Sequence, residues 1–133
     1  MSFADYTFII PANKDLDIKD DILFHDLVSV ERKSGINEVC LNITKDRKRF
    51  QAEYERHKGL MVVMIENDSY DDICNSNYRS KVSNKSLLGS LHKWQHKYNV
   101  PFIFVSSQYS AVYIYQTFKY YLQYCFDKYP VQL

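Results

Sequence analysis

The chain has only three glycines, Gly35, Gly59 and Gly89, and none lies near another. That scarcity excludes the Gly-rich loop that cradles phosphates and the GxGxxG turn of dinucleotide-binding enzymes, so no nucleotide cofactor is expected. Cysteine is equally scarce. Cys40, Cys74 and Cys125 are odd in number and far apart, which argues against a disulfide framework or a CxxC zinc site and for reduced thiols in a cytoplasmic protein. No apolar run reaches the 18 residues of a membrane span, and the opening Met-Ser-Phe-Ala-Asp has neither the basic nor the apolar part of a secretion signal. The expected location is the cytoplasm, without a membrane partner. Acid is missing as well, but from one half only. Residues 1–72 hold 15 acids and 10 bases and residues 73–133 hold 1 acid and 7 bases, so the formal net charge of +1 cancels −5 against +6. A stretch of bases without acidic neighbours can face a polyanion.

What is present fits a single domain over residues 1–133, with 46% hydrophobic and 25% charged residues. Tyr6 to Ile10 reads as a short strand closed by Pro11, and Pro11 to Phe24, with Asp15, Asp17, Asp20 and Asp21, as a solvated connection. Leu27 to Lys33 reads as a second strand. Ile36, Val39, Cys40 and Ile43 then fall at helical spacing, and a second helix, Arg47 to His57, is entered through Thr44-Lys45-Asp46 and stopped by Gly59. The unbroken apolar run Leu60 to Ile65 predicts a strand buried on both faces, which implies a parallel sheet covered by helices. A short helix at Tyr70–Cys74, a polar link Asn75–Asn84, a helix Lys85–Tyr98, a strand Phe102–Val105 and an aromatic helix from about Tyr109 to Phe126 complete the chain. Strands alternating with helices predict an α/β sandwich.

Glu31-Arg32-Lys33, at the end of the second strand, is the sharpest local signal. Alternation puts Glu31 and Lys33 on one face and Arg32 on the other. A carboxylate beside an ammonium is what a metal-dependent phosphodiesterase uses: the first holds a divalent cation, the second orients the attacking water or stabilises developing charge. A second carboxylate is needed. Antiparallel pairing of Asp5–Ile10 with Leu27–Lys33 would bring Asp5 beside Glu31, whereas Asp26, five residues upstream on an extended strand, lies about 16 Å away. The alternative is a charged edge strand that merely discourages aggregation.

These residues resemble the XPF-type (ERCC-type) structure-specific endonucleases, a branch of the PD-(D/E)XK restriction-endonuclease-like superfamily. Val30-Glu31-Arg32-Lys33-Ser34 resembles the ERK motif, Ala4-Asp5-Tyr6 the Gly-Asp-Tyr segment, Arg49-Phe50 with Glu53 the Arg-Phe segment, and Val63-Met64-Ile65-Glu66 the buried strand ending in Glu. Asn77-Tyr78-Arg79-Ser80-Lys81, Lys85 to Leu91 and Tyr98-Asn99-Val100-Pro101 resemble nuclease domains of bacteriophages and prophages. The resemblance implies a central mixed sheet flanked by helices, here without the strand and helix that members carry before the Gly-Asp-Tyr segment. It implies a Mg²⁺- or Mn²⁺-dependent endonuclease acting on branched or structured DNA, in a bacterial host's cytoplasm if phage-encoded. Asp5 and Glu31 would hold the metal, Lys33 would be the catalytic lysine, and Arg32 would support the site or meet a phosphate, with Glu66 in support. Asn37 stands where members have an acid, with Glu38 next to it, and leaves open a second reading: a DNA-binding or scaffold module of the same fold that does not cut.

Arg47 and Arg49, near a helix N-terminus where cations oppose the dipole, and Arg79, Lys81 and Lys85, in the acid-free link, are the candidate DNA contacts. His92 and His96 stand at i, i+4, but the glutamate of a zinc protease motif is missing, so a solvated helix face is expected. The surplus of tyrosines between Tyr113 and Phe126 fits core packing plus a homodimer interface better than base stacking.

Overall fold

The computed structural model describes residues 5–128. In chain order these are β1 (Ile9–Ile10), β2 (Ile22–Leu23), β3 (Val28–Lys33), α1 (Ile36–Ile43), α2 (Arg47–Arg56), β4 (Leu60–Glu66), α3 (Tyr70–Cys74), α4 (Asn84–Tyr98), β5 (Phe102–Val105) and α5 (Ser110–Lys128). Strands β3, β4 and β5 form a parallel sheet in that order, with Glu31 opposite Val63 and Lys33 opposite Ile65. The expected α/β architecture is the observed one.

Each face of this sheet has its own cover. Met61, Val63 and Ile65 of β4 meet Ile36, Val39, Cys40 and Ile43 of α1, Phe50 and Tyr54 of α2, and Leu87, Leu91 and Trp94 of α4 in one core. On the other face Val28, Val30, Val62 and Met64 are also buried, and α5 lies against β3. Phe8 and Phe24 stack at 4.1 Å and bridge to Phe118 and Tyr121 of α5. Burial from both sides is why β4 is apolar at every position before Glu66. No helix among the described residues is long and apolar enough to cross a membrane.

The N-terminal region corrects the expected single strand from Tyr6 to Ile10. Tyr6 exchanges both backbone hydrogen bonds with Val30, at 3.0 and 2.9 Å, while Ile9–Ile10 leaves β3 and pairs with Ile22–Leu23. The segment is divided between two partners. Its second partner lies inside the expected loop 11–24, where the acids and amides serve as turn builders: the Asn13 side chain accepts the Asp15 amide at 2.9 Å and Asp21 accepts the Ala12 amide at 2.8 Å. Gly59 ends the α2 connection at φ 68°, and a Cβ there would stand 2.4 Å from the Leu27 carbonyl oxygen. Only glycine fits that approach of the chain to β3.

Candidate active site

β3 carries two charge pairs, one on each face. On the face covered by α1, α2 and α4, Lys33 Nζ donates to Glu31 Oε1 at 3.2 Å, and the two side chains are 3% and 12% exposed. The Phe50 ring of α2 roofs the pair, its centroid 4.1 Å from Lys33 Nζ. Charges meant to deter edge pairing would stand in water; these are buried, so the strand is not a merely protective edge. Burial is the largest influence on the Glu31 carboxyl and raises it above its ordinary 4.5, with Lys33 pulling it down and Asp5 and Glu53 adding to the rise.

A carboxyl whose folded pKa exceeds its unfolded value binds more protons in the folded state, so its contribution to stability is present at acid pH and is lost as pH rises through the raised pKa. Denaturant unfolding of the metal-free chain between about pH 4 and pH 7 should therefore show a component that declines with pH. It should vanish in Glu31→Gln; identical profiles for the two proteins would remove Glu31 as its source.

Asp5 stands where the Tyr6–Val30 pairing puts it, beside the end of β3. Its Oδ2 accepts the Arg32 backbone amide at 2.8 Å, and its charge acts on Glu31. Ala4, the first residue of the expected Ala-Asp-Tyr segment, lies outside the described residues. Asp5 and Glu31 each spend one carboxylate oxygen on a bond within the described residues and keep the other. Two hard oxygen donors suit Mg²⁺ or Mn²⁺, which bind through one or two carboxylates and retain several waters. No cluster of three or more His, Cys, Asp or Glu side chains able to hold a metal occurs among the described residues; His92 Nε2 is bonded to the Tyr70 hydroxyl at 2.9 Å.

The model of the ERCC4 domain matches residues 1–117. The chain belongs to the ERCC4 domain family. It is therefore a nuclease-family domain of the kind that acts on structured DNA. No curated protein and no solved structure matches it.

On the opposite face of the ERCC4 domain's β3, Arg32 Nε donates to Glu66 Oε1 at 2.6 Å, and the Ser110 hydroxyl, at the start of α5, donates to Glu66 Oε2. Arg32 and Glu66 thus form a pair of their own behind Glu31 and Lys33. Asn37 is turned away from the pair as well: its Oδ1 accepts the backbone amides of Arg79 at 3.0 Å and Ser80 at 2.9 Å. Glu38 accepts the Ser34 amide and hydroxyl at 2.7 and 2.9 Å, closing the turn between β3 and α1.

Of the basic residues, Arg47 is engaged within the fold. Its guanidinium donates to the Ile43 carbonyl and the Ser90 hydroxyl, both at 3.1 Å, and lies 5.1 Å from the Trp94 ring. Arg49 is 64% exposed and stacks over Phe50, 4.9 Å from its centroid, so one ring separates it from Lys33. Arg79, Lys81 and Lys85 are exposed. Three contributors escaped the sequence reading of roles. Phe50 and Glu53 reach the site because they stand at i, i+3 on α2, a spacing visible in the sequence, whereas nothing in the sequence marks Ser110 as the partner of Glu66.

Proposed function

We propose that this ERCC4 domain is a Mg²⁺- or Mn²⁺-dependent endonuclease that hydrolyses phosphodiester bonds in branched DNA. The observation that carries the reading is the buried Glu31–Lys33 pair with the Asp5 carboxylate at its strand end. Asp5 and Glu31 would hold the cation, which when bound supplies Lewis acidity to the phosphate and a more acidic water. Lys33, fixed by Glu31 and by Phe50, presents an ammonium that orients the attacking water or neutralises charge developing on the phosphate. Arg32 and Glu66 support the strand from behind. Arg49, Arg79, Lys81 and Lys85 would grip the DNA backbone without reading its bases, and Arg47 acts on it only through the packing of α1, α2 and α4. The resemblance of residues 77–91 and 98–101 to bacteriophage and prophage nuclease domains supports a mobile-element origin and action in a bacterial cytoplasm. Tyr115, Tyr120, Tyr124 and Phe126 are exposed on α5, a surplus of surface aromatics that supports a homodimer. The second reading, DNA binding without cutting, is favoured by one residue: Asn37, which supplies a carboxamide where members have an acid.

The deciding experiment incubates the native chain with labelled flap, fork and four-way-junction DNA, with Mn²⁺, Mg²⁺ or EDTA. Metal-dependent nicks near the branch point, from protein that light scattering shows to have the mass of two chains, are the expected result. Junction binding without cutting in either metal would select the scaffold reading.

A further inference from the structure

The link from Asn75 to Ser83, between α3 and α4, is irregular but tied down along its length. The Asn77 amide and side chain donate to Asp72 at 2.7 and 2.9 Å, the Tyr78 hydroxyl donates to the Val82 carbonyl at 2.7 Å, and the Val82 amide donates to the Ser80 hydroxyl at 3.2 Å. Tyr78 and Val82 pack against the core. Its cations point outward: Arg79, Lys81 and the nearby Lys85 are exposed, and none of them forms an ion pair within the described residues. What fixes this link to the rest of the domain is α1. Asn37 Oδ1 takes the amides of Arg79 and Ser80 together.

Two consecutive backbone amides converging on one oxygen make the kind of concavity that proteins use to seize an anion. Here a neutral carboxamide fills it. An aspartate would satisfy the two amides at least as well, but would put a negative charge among cations meant for phosphates. Asparagine supplies the acceptor and leaves the field of the link positive. Asn37 is also the second residue of α1, four residues beyond Lys33, so the element it anchors to is the direct continuation of β3.

We infer that Asn37 is a positioning residue for substrate: it clasps the basic link to α1 and so fixes where a DNA phosphate held by Arg79 and Lys81 lies relative to Glu31 and Lys33. This rests on the nuclease reading for its substrate.

The test compares the native chain with Asn37→Ala and Asn37→Asp. Amide exchange followed by NMR reads the clasp directly, and titration of fluorescent flap DNA without divalent metal reads binding. In Asn37→Ala the Arg79 and Ser80 amides should exchange at least tenfold faster, and DNA affinity should fall about fivefold to tenfold as the link loses its preorganisation. In cleavage, the loss should fall on KM rather than on kcat. Asn37→Asp should keep both amides protected. Unchanged exchange of the two amides in Asn37→Ala, or a loss confined to kcat, would overturn the inference. If the native chain does not cut DNA at all, the nuclease reading fails, while the exchange and binding measurements still decide the clasp.

Discussion

Lys33→Met should lower metal-dependent DNA cleavage by about 10²–10³-fold, the usual cost of deleting one preorganised charge-stabilising donor. The same substitution should also weaken the fold. Methionine keeps the apolar stem of lysine but loses the Nζ that faces the Phe50 ring, and Glu31 is left as a buried carboxylate without its ammonium. Removing one partner of such a pair costs about 3–5 kcal/mol, and the lower end applies here because Glu31, raised by burial, can take up a proton. The decisive comparison is the double variant Glu31→Leu with Lys33→Met. An apolar pair in an apolar setting removes the desolvation cost from both sides, so unfolding in urea should show stability restored to the native value or above it, by up to about 4 kcal/mol. Cleavage should stay absent. A protein that loses activity and gains stability when the two residues go together carries the pair for chemistry rather than for folding. Lys33→Met with cleavage within tenfold of native would remove lysine from the mechanism, and a double variant no more stable than Lys33→Met would show that burial of the pair is not a burden.

The second large effect concerns the other face. Arg32→Met should destabilise the chain by about 3 kcal/mol, since it strips the guanidinium from a carboxylate that is only 4% exposed. Arg32 itself is 48% exposed, which keeps the cost at the lower end of the range. Ser110→Ala removes the remaining partner of Glu66 and should cost about 1.5–3 kcal/mol, the value of a hydrogen bond to a charged group. Because Ser110 opens α5, both variants should loosen that helix before the sheet, and hydrogen exchange should show α5 amides losing protection ahead of those in β4. The two substitutions share one carboxylate, so their costs should not add. Equal loss of protection across the whole sheet would show that Glu66 does not act as the tie between β4 and α5.

Much of this arrangement was legible in the sequence because it follows from period. The unbroken run Leu60–Ile65 announced a strand covered on both sides, and alternation within Glu31-Arg32-Lys33 announced which side chains share a face. The spacing of Ile36, Val39, Cys40 and Ile43 announced α1. The rest depended on partners distant in the chain. β2 is two exposed residues among acids, too short for any alternation to register. Tyr6–Ile10 has the composition of one strand and divides only because β3 and β2 compete for its backbone. Asn37 reads in sequence as an acid lost, and its role emerges only when the link 75–83, some 40 positions later, folds back onto it. Arg47 belongs to a basic cluster in sequence, yet the Ile43 carbonyl, Ser90 and Trp94 claim it in space.

The alternation in β3 also constrains how the sheet can be assembled. Glu31 and Lys33 face one layer and pair within β3, whereas Arg32 faces the other and reaches Glu66 only at the observed alignment with β4. Sliding β3 by one residue would drive Arg32 under Phe50, with no carboxylate to receive it, and would turn Glu31 and Lys33 toward α5. Hydrophobic side chains of similar size tolerate exchange; a misplaced guanidinium does not. The charges act as a key cut on both edges, so a single-residue insertion or deletion within β3 should be rejected during folding, before any question of catalysis arises.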